Sequence, residues 1–399
     1  MEQNPVTNIQ KMARIDVLCF GGEDWWYHNR GHIDMQLMRR FAGKGKVLYI
    51  NSIVMQKINI GEGRKFIQRF VRKAKSVFTG LKKINKNFWV YSPFSLPVQH
   101  ISWAKPLNEI LLRSQIGYVK RRIQMEVPIV WVACPPACDM AIRMKKKKLV
   151  YQRTDRFEDF PGVDVEKVKK FDEELKTAAD MTIFVNRKLY EDEADQCKKA
   201  FYLDHGVDYE MFASPIQNNS DITELVDIPK PIIGFIGSID ECNPDIDFLK
   251  KVTELLPDMS FVVIGREQMD CSALKERKNV RMLGQKPYKL VPEYGKRFDA
   301  ALLPLRQSRW AEAVNPLKLK EYLAMGKPVI STPFPQLKEY SDIVYEAKTP
   351  KAFVACIKKA ISENSPELIN KRREKVKDSS WDSKAELVMN ELFKNEQSD

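Results

Sequence analysis

Lys318 and Glu321 stand one helical turn apart in residues 315–332, NPLKLKEYLAMGKPVIST, a stretch that reads as a short helix followed by a strand. Asn315 is a preferred N-cap, and Pro316 suits the first helical position, where its missing N–H costs nothing. Gly326 supplies a left-handed stop, Pro328 prevents continuation, and the apolar residues after it have the character of a buried strand. The helix should span about three turns. Helix N-termini carry partial positive charge and free N–H groups, so a first turn prefers an acid; this one holds Lys318 and none. A phosphate from outside the chain would complete the arrangement. Glu321, on the same face as Leu317 and Lys318, could then accept hydrogen bonds from hydroxyls beyond that phosphate. The alternative is a surface pair between Lys318 and Glu321.

These residues resemble the nucleotide-sugar site of GT-B glycosyltransferases of the glycosyltransferase 4 type, and of relatives such as the teichuronic acid and xanthan glucuronosyl transferases. The resemblance implies an α/β fold of two Rossmann-like domains facing a central cleft, with a C-terminal helix, residues 381–393, crossing back to the first domain. It implies a nucleotide-diphosphate sugar donor, UDP-linked, with no further cofactor and no metal. The diphosphate and ribose would be held by Asn315, Leu317, Lys318 and Glu321, opposite Gly237 and Ser238 at the end of the apolar run 231–236. Arg266, Tyr288 and Leu290 would contact the base. Residues 201–208, FYLDHGVD, match the segment that closes the family's first domain, with His205 and Gly206 facing the cleft. Retaining members carry two Glu separated by seven residues, ending at the position of Glu321. In this chain that spacing lands on Ala313, with Glu312 one residue early.

Other chemistry-bearing residues lie in the first half. The apolar run 149–151 ends in QRTDRFEDFPG, residues 152–162, which places Asp155, Glu158 and Asp159 at the carboxyl edge of a sheet, where open α/β folds build their sites. A carboxylate on such a loop can deprotonate an acceptor hydroxyl, and Asp155 is the first candidate. In the xanthan-type relatives the catalytic Asp occupies a similar segment, and an Asp base implies inversion. The alternative is that Asp155 caps the next helix or pairs with Arg153 or Arg156. Residues 14–20 form another apolar run, ending at Gly21-Gly22, and EDWWYHNRGHID, residues 23–34, follows. Trp25, Trp26 and His32 either hold the acceptor, the aromatics stacking on sugar faces, or pack the domain.

The elements that must position these residues suit two domains, because 399 residues exceed one core. The expected division is a first domain over 1–211, a polar linker over 212–229, a nucleotide-sugar domain over 230–378 and the crossover helix over 379–399. Seven scattered cysteines argue for a reducing compartment rather than a disulfide framework. No apolar stretch reaches the roughly 18 residues that span a bilayer, so the expectation is a cytoplasmic protein, soluble or peripheral on the inner face of the cell membrane. Of the net charge of +13, residues 1–208 carry +13 and residues 209–399 carry 0.

Residues 63–86 read as a basic amphipathic helix, with apolar residues at helical spacing and Arg64, Lys65, Arg69, Arg72 and Lys73 among its cations. It either faces an anionic membrane or packs on its own domain. The acceptor expected from the resemblance is lipid-linked or a polysaccharide of bacterial-type surface glycan synthesis. A sugar-nucleotide epimerase shares the expected fold but leaves this helix without a role. A basic nucleic-acid-binding protein is the remaining alternative, disfavoured because base-stacking arrays and nucleic-acid motifs are missing, so no nucleic-acid partner is expected.

Overall fold

The short apolar runs VLCF, VLYI and IVWV carry no polar alternation, as expected of parallel strands covered on both faces. In the computed structural model they form the middle of the first of two sheets. It describes residues 15–27, 31–51, 71, 74–95, 105–160, 162–215, 222–240, 243–309 and 311–394. The first sheet contains β1 (Val17–Phe20), β2 (Val47–Ile50), β3 (Leu81–Asn85), β4 (Phe88–Tyr91), β5 (Ile129–Val132), β6 (Leu149–Arg153), β7 (Met181–Phe184) and β8 (Ala200–Tyr202). Their order is β3-β4-β2-β1-β5-β6-β7-β8, and Val17 on the central strand lies opposite Val47 and Ile129. Only β3 runs antiparallel, against β4.

The second sheet contains β9 (Ile232–Ile236), β10 (Ser260–Ile264), β11 (Val280–Met282), β12 (Ala300–Leu303), β13 (Val329–Ser331) and β14 (Val344–Glu346), in the order β11-β10-β9-β12-β13-β14. All its pairs are parallel. This is the doubly wound Rossmann arrangement, and in each sheet the order reverses beside the first strand. Ligand crevices form outside the carboxyl ends of the strands at such a switch point, which means after β1 and after β9.

Five helices matter for the site: α1 (Ile33–Phe41), α2 (Val165–Ala178), α3 (Leu317–Ala324), α4 (Pro366–Lys377) and α5 (Trp381–Phe393). The sequence reading missed α4, which starts where Ser365 accepts a hydrogen bond from the Leu368 N–H. It packs along α3, and buried Arg372 donates to the Gly326 carbonyl at 3.2 Å, placing a cation at the C-terminal end of α3. The crossover helix α5 does return to the first domain. Trp381, Ala385, Val388 and Met389 are buried in the same core as Trp25, Phe41 and Trp131, and α5 lies against α1.

Three expectations need correction. The helix over 63–86 does not reach its expected end: residues 74–79 are helical, Gly80 turns the chain at φ +56°, and Leu81–Asn85 pairs as strand β3. Glycine tolerates that left-handed angle without a Cβ clash, so it ends the helix. Arg64, Lys65, Arg69, Arg72 and Lys73 lie outside the described residues. The second core takes up the chain before the expected boundary, since Val207 and Phe212, and then Ile222 and Leu225 of the expected linker, are buried in it. Helix α3 begins at Leu317 and is 8 residues long, about two turns. Pro316, not Asn315, is its N-cap, with extended backbone angles of φ −71° and ψ 112°.

Candidate active site

The N-terminus of α3 has no acid in its first turn and no side-chain cap. Asn315 does not cap because its amide reaches across the domain junction and donates to the Val185 carbonyl at 3.0 Å. Lys318 does pair with Glu321, at 2.5 Å, but the pair is not a surface one: their side chains are 16% and 1% exposed. Burial raises the pKa of Glu321, and the Lys318 ammonium opposes that shift. Glu321 Oε1 is buried with no hydrogen-bond partner among the described residues. A desolvated acceptor left open costs free energy that a hydroxyl donor from a ligand would recover.

Around α3 the strand-end loops close in. Gly237 follows β9, and its N–H donates to the Ile264 carbonyl, so this N–H is engaged in the sheet rather than offered to a phosphate. Ser238 is exposed at the loop tip. A Cβ on Gly265 would lie 1.6 Å from the Gly237 carbonyl oxygen, so glycine there lets the loops after β9 and β10 touch. Arg266 follows, half-buried. Tyr288 packs edge-on against Phe212, 6.0 Å between centroids, and its hydroxyl donates to Asp208 at 2.9 Å. Asp208 also accepts from Arg40 of α1, at 2.5 Å. Leu290 is half-buried against the second core. Tyr288 therefore stands beside Glu321 and links the two domains, with its hydroxyl already engaged.

The opposite wall is built by the loop after β1. Buried Asp34 accepts from the Gly22 N–H and the Tyr49 hydroxyl, both at 2.8 Å, and from His32 Nδ1–H at 2.6 Å. Gly21 makes this possible, since a Cβ there would lie 2.1 Å from the Tyr49 ring. The glycine pair thus shapes a His–Asp dyad. Burial opposes the charge on His32, but the Asp34 carboxylate outweighs it and raises the imidazolium pKa to about 9. Burial would raise Asp34, yet His32 and the hydrogen bonds hold it at about 2.

Two further carboxylates lie within electrostatic reach of this imidazole. Asp155, beyond the end of β6, has its pKa raised by burial, with the His32 and Arg153 charges opposing. Glu23, in the loop after β1, has its pKa raised by desolvation, with the charges of His32 and of Arg266 in the second domain opposing. His205 lies near the same group. Burial, together with the like charge of His32, depresses its pKa to about 3, so it is neutral. Its Nδ1 has no hydrogen-bond partner among the described residues.

Asp155 is not consumed by the cations beside it in sequence. Arg153, 1% exposed, is held by Glu158 at 3.0 Å and by Asp172 and Glu193 at 3.2 Å, and Lys176 of α2 bonds Asp172 and Glu193. Arg156 pairs with Asp192 at 3.0 Å. The short 3-10 helix that follows, Phe157–Asp159, has Arg156 as its N-cap, so Asp155 caps nothing. This ion network fastens the loop through Glu158, Asp172, Glu193 and Asp192, without an ion pair to Asp155 among the described residues. No residue type in the sequence marks that division of labour; it depends on which acids α2 and residues 187–193 bring to Arg153.

Other first-domain candidates are reassigned. Trp25 is 1% exposed and packs on Phe88 and Tyr49, with centroids 4.8 and 5.3 Å away, so it is a core residue and not an acceptor platform. Trp26 is half-buried, donates to Ser92 at 3.3 Å and lies under Lys82 at the β3 edge. Gly206 does not approach a donor: a Cβ there would meet Trp381 at 2.6 Å, so this glycine admits the crossover helix. Asp34 and Asp208 were missed by sequence reasoning. The spacing His32-x-Asp34 at a helix start was the available signal for the first; for the second it was the last position of the segment FYLDHGVD, residues 201–208.

Residues 230–363 match the family model described as glycosyl transferases group 1. A Bacillus subtilis (strain 168) protein with the provisional name teichuronic acid biosynthesis glycosyltransferase TuaH is 30% identical over 187 residues, 45% of this chain and 47% of that one. The matched segment thus spans about half of this curated relative. Among solved structures, the sucrose-phosphate synthase of Thermosynechococcus elongatus superposes with a TM-score of 0.72 at 13% identity, covering 96% of this chain and all of that one. Anabaena HepE in complex with UDP-glucose gives 0.66 at 9% identity, with 96% and 100% covered. At such identities the likeness is one of fold. Residues 230–363 form a glycosyl transferases group 1 domain, and the chain that carries it has the GT-B fold.

Proposed function

We propose that this protein is a glycosyltransferase that takes a sugar from a UDP-linked nucleotide sugar and delivers it to a lipid-linked or polysaccharide acceptor in surface-glycan synthesis. The observation that carries this reading is the acid-free N-terminus of α3, with Lys318 beside a buried Glu321 whose Oε1 lacks a partner. Lys318 and the helix N–H groups hold the diphosphate, and Glu321 accepts from the ribose. The solved complexes of HepE with UDP and UDP-glucose and the name of the Bacillus relative support the donor and the pathway class. In this reading the protein works in the cytoplasm, peripheral on the inner face of the cell membrane.

Asp155 takes the proton of the acceptor hydroxyl, whose oxygen bonds the anomeric carbon as the bond to the diphosphate breaks. The leaving group's charge falls to Lys318 and the α3 N-terminus, so the scheme needs no metal. Displacement of this kind inverts the anomeric carbon. A second reading makes His32 the base, favoured by its orientation on Asp34. Its pKa near 9 leaves it mostly protonated at neutral pH, where it better serves to keep Asp155 ionised.

Thermal shifts of wild type and Lys318→Ala with UDP, GDP and ADP test the donor site. A ligand at a hundred times its dissociation constant adds about 2.7 kcal/mol, so a UDP shift that Lys318→Ala cuts to about half or less is the expected result. No shift with any nucleoside diphosphate would sink the reading. Release of UDP without a new glycosidic product would favour an epimerase.

A further inference from the structure

The helix Lys105–Arg122 is apolar on two sides. Its inner side buries Leu112, Ile116 and Val119 in the first core, but Leu107, Ile110 and Tyr118 stand 55%, 61% and 58% exposed. They fall on one face at spacings of three and eight, a stripe about 16 Å long that the described residues leave exposed. Beside this stripe, between the helix and residues 138–145, lies a cavity of about 190 Å³. Arg113, Lys120, Arg143 and Lys145 line it, with Ile116 and Met140 at its apolar side.

The cations are only partly compensated. Glu109 approaches Arg113 at 2.6 Å and Arg143 at 3.5 Å, and Arg113 Nε is buried with no hydrogen-bond acceptor among the described residues. Burial, together with repulsion from Lys145, lowers the pKa of Lys120. Residues 107–148 hold nine basic and three acidic side chains, so a substantial part of the chain's positive charge sits in this region. Lys146 is turned aside, donating to the Ile142 and Met144 carbonyls.

We propose that this face is a docking site for an anionic lipid bilayer, with a headgroup phosphate in the basic cavity and Leu107, Ile110 and Tyr118 in the interfacial layer. Charge complementarity names the headgroup, and the exposed apolar stripe beside the cavity favours a bilayer over a soluble phosphate or a nucleic acid. The site extends the peripheral-membrane reading to residues outside the basic segment 63–86, and it does not rest on the sugar-transfer reading.

Co-sedimentation of the full chain with vesicles of phosphatidylcholine, with and without phosphatidylglycerol, tests it. One variant carries Arg113→Gln, Lys120→Gln and Lys145→Gln; a second carries Leu107→Ser, Ile110→Ser and Tyr118→Ser. A control removes equal charge from the second domain through Lys348→Gln, Lys351→Gln and Lys358→Gln. Wild type should bind only the anionic vesicles. The cavity variant should bind about a hundred-fold more weakly, about five-fold for each cation lost. The stripe variant should also weaken, and the control should change by less than about five-fold.

Absence of binding by wild type, or equal losses in cavity variant and control, would overturn the proposal. A thermal shift with inorganic phosphate that the cavity variant abolishes, without vesicle binding, would also overturn it, by assigning a soluble anion. A cooperative thermal melt without ligand, followed in the same samples, reports folding. If it is lost together with vesicle binding, single Lys145→Gln and Ile110→Ser variants that bind anionic vesicles like wild type overturn the proposal.

Discussion

At the residue scale, Lys318 and Glu321 make one unit whose parts separate by mutation. Lys318→Ala strips the buried Glu321 of its cation, so it should lower both stability and donor affinity, the latter by roughly 10- to 100-fold for a charge-assisted contact. The double variant Lys318→Ala, Glu321→Gln should regain stability without regaining affinity, as read by denaturant melts and nucleotide titration. Equal recovery of both would remove the diphosphate role. The two histidines set opposite pH limbs. His32 has a folded pKa near 9, above its ordinary 6.5, so its stabilisation is complete below about pH 6.5 and is lost as pH rises towards 9. His205, depressed to about 3, contributes stability above pH 6.5 that is lost as pH falls towards 3. For these two groups the maximum lies near pH 6.5. His32→Gln should flatten the alkaline limb and His205→Gln the acid limb in urea melts across pH; unchanged limbs would contradict the assigned partners.

At the element scale, two glycines hold elements together by having no side chain. Gly265→Ala would drive a methyl into the Gly237 carbonyl, forcing apart the loops that border the donor site. Backbone must shift, so a cost of about 1–3 kcal/mol and a clear loss of UDP affinity are expected. Gly206→Ala meets Trp381 instead, at the start of α5, and should destabilise by a similar amount while sparing UDP affinity in the remaining folded protein. Thermal melts with and without UDP distinguish the two, and a reversed pattern would contradict the assignment of Gly206 to the crossover. The Ser365-Pro366 start of α4 is a helix signal that the sequence reading passed over, and only packing shows that Arg372 reaches the Gly326 carbonyl.

At the scale of the whole molecule, buried polar contacts help to join the domains. Lys320 of α3, 4% exposed, and Lys384 of α5 both bond Asp204, and Lys320 also donates to the His205 carbonyl at 2.6 Å. One anion therefore ties the donor helix, the crossover helix and the end of the first domain. Asp204→Asn should cost up to about 3 kcal/mol, since it leaves Lys320 buried with less compensation. It should also expand the protein in small-angle scattering if this junction sets the cleft width; an unchanged profile would place the constraint elsewhere. Gln336 to Tyr202 at 2.8 Å and Asn315 to Val185 at 3.0 Å are further cross-domain bonds near α3.

The amino-acid sequence alone determined what depends on neighbours along the chain. Apolar runs without alternation marked parallel strands, Gly326 marked the end of α3, and the first turn of α3 holds Lys318 and no acid, as its residues already showed. It could not rank Asn315 as cap against Asn315 as a donor to Val185, nor Trp25 as platform against Trp25 as core, because both choices satisfy the same local chemistry. Nor could it tell that Arg153 would take Glu158, Asp172 and Glu193 and leave Asp155 open. Those outcomes were decided by tertiary structure. A buried charge takes the partners that the packed elements bring within reach, and those partners are separated from it by up to 40 residues of sequence.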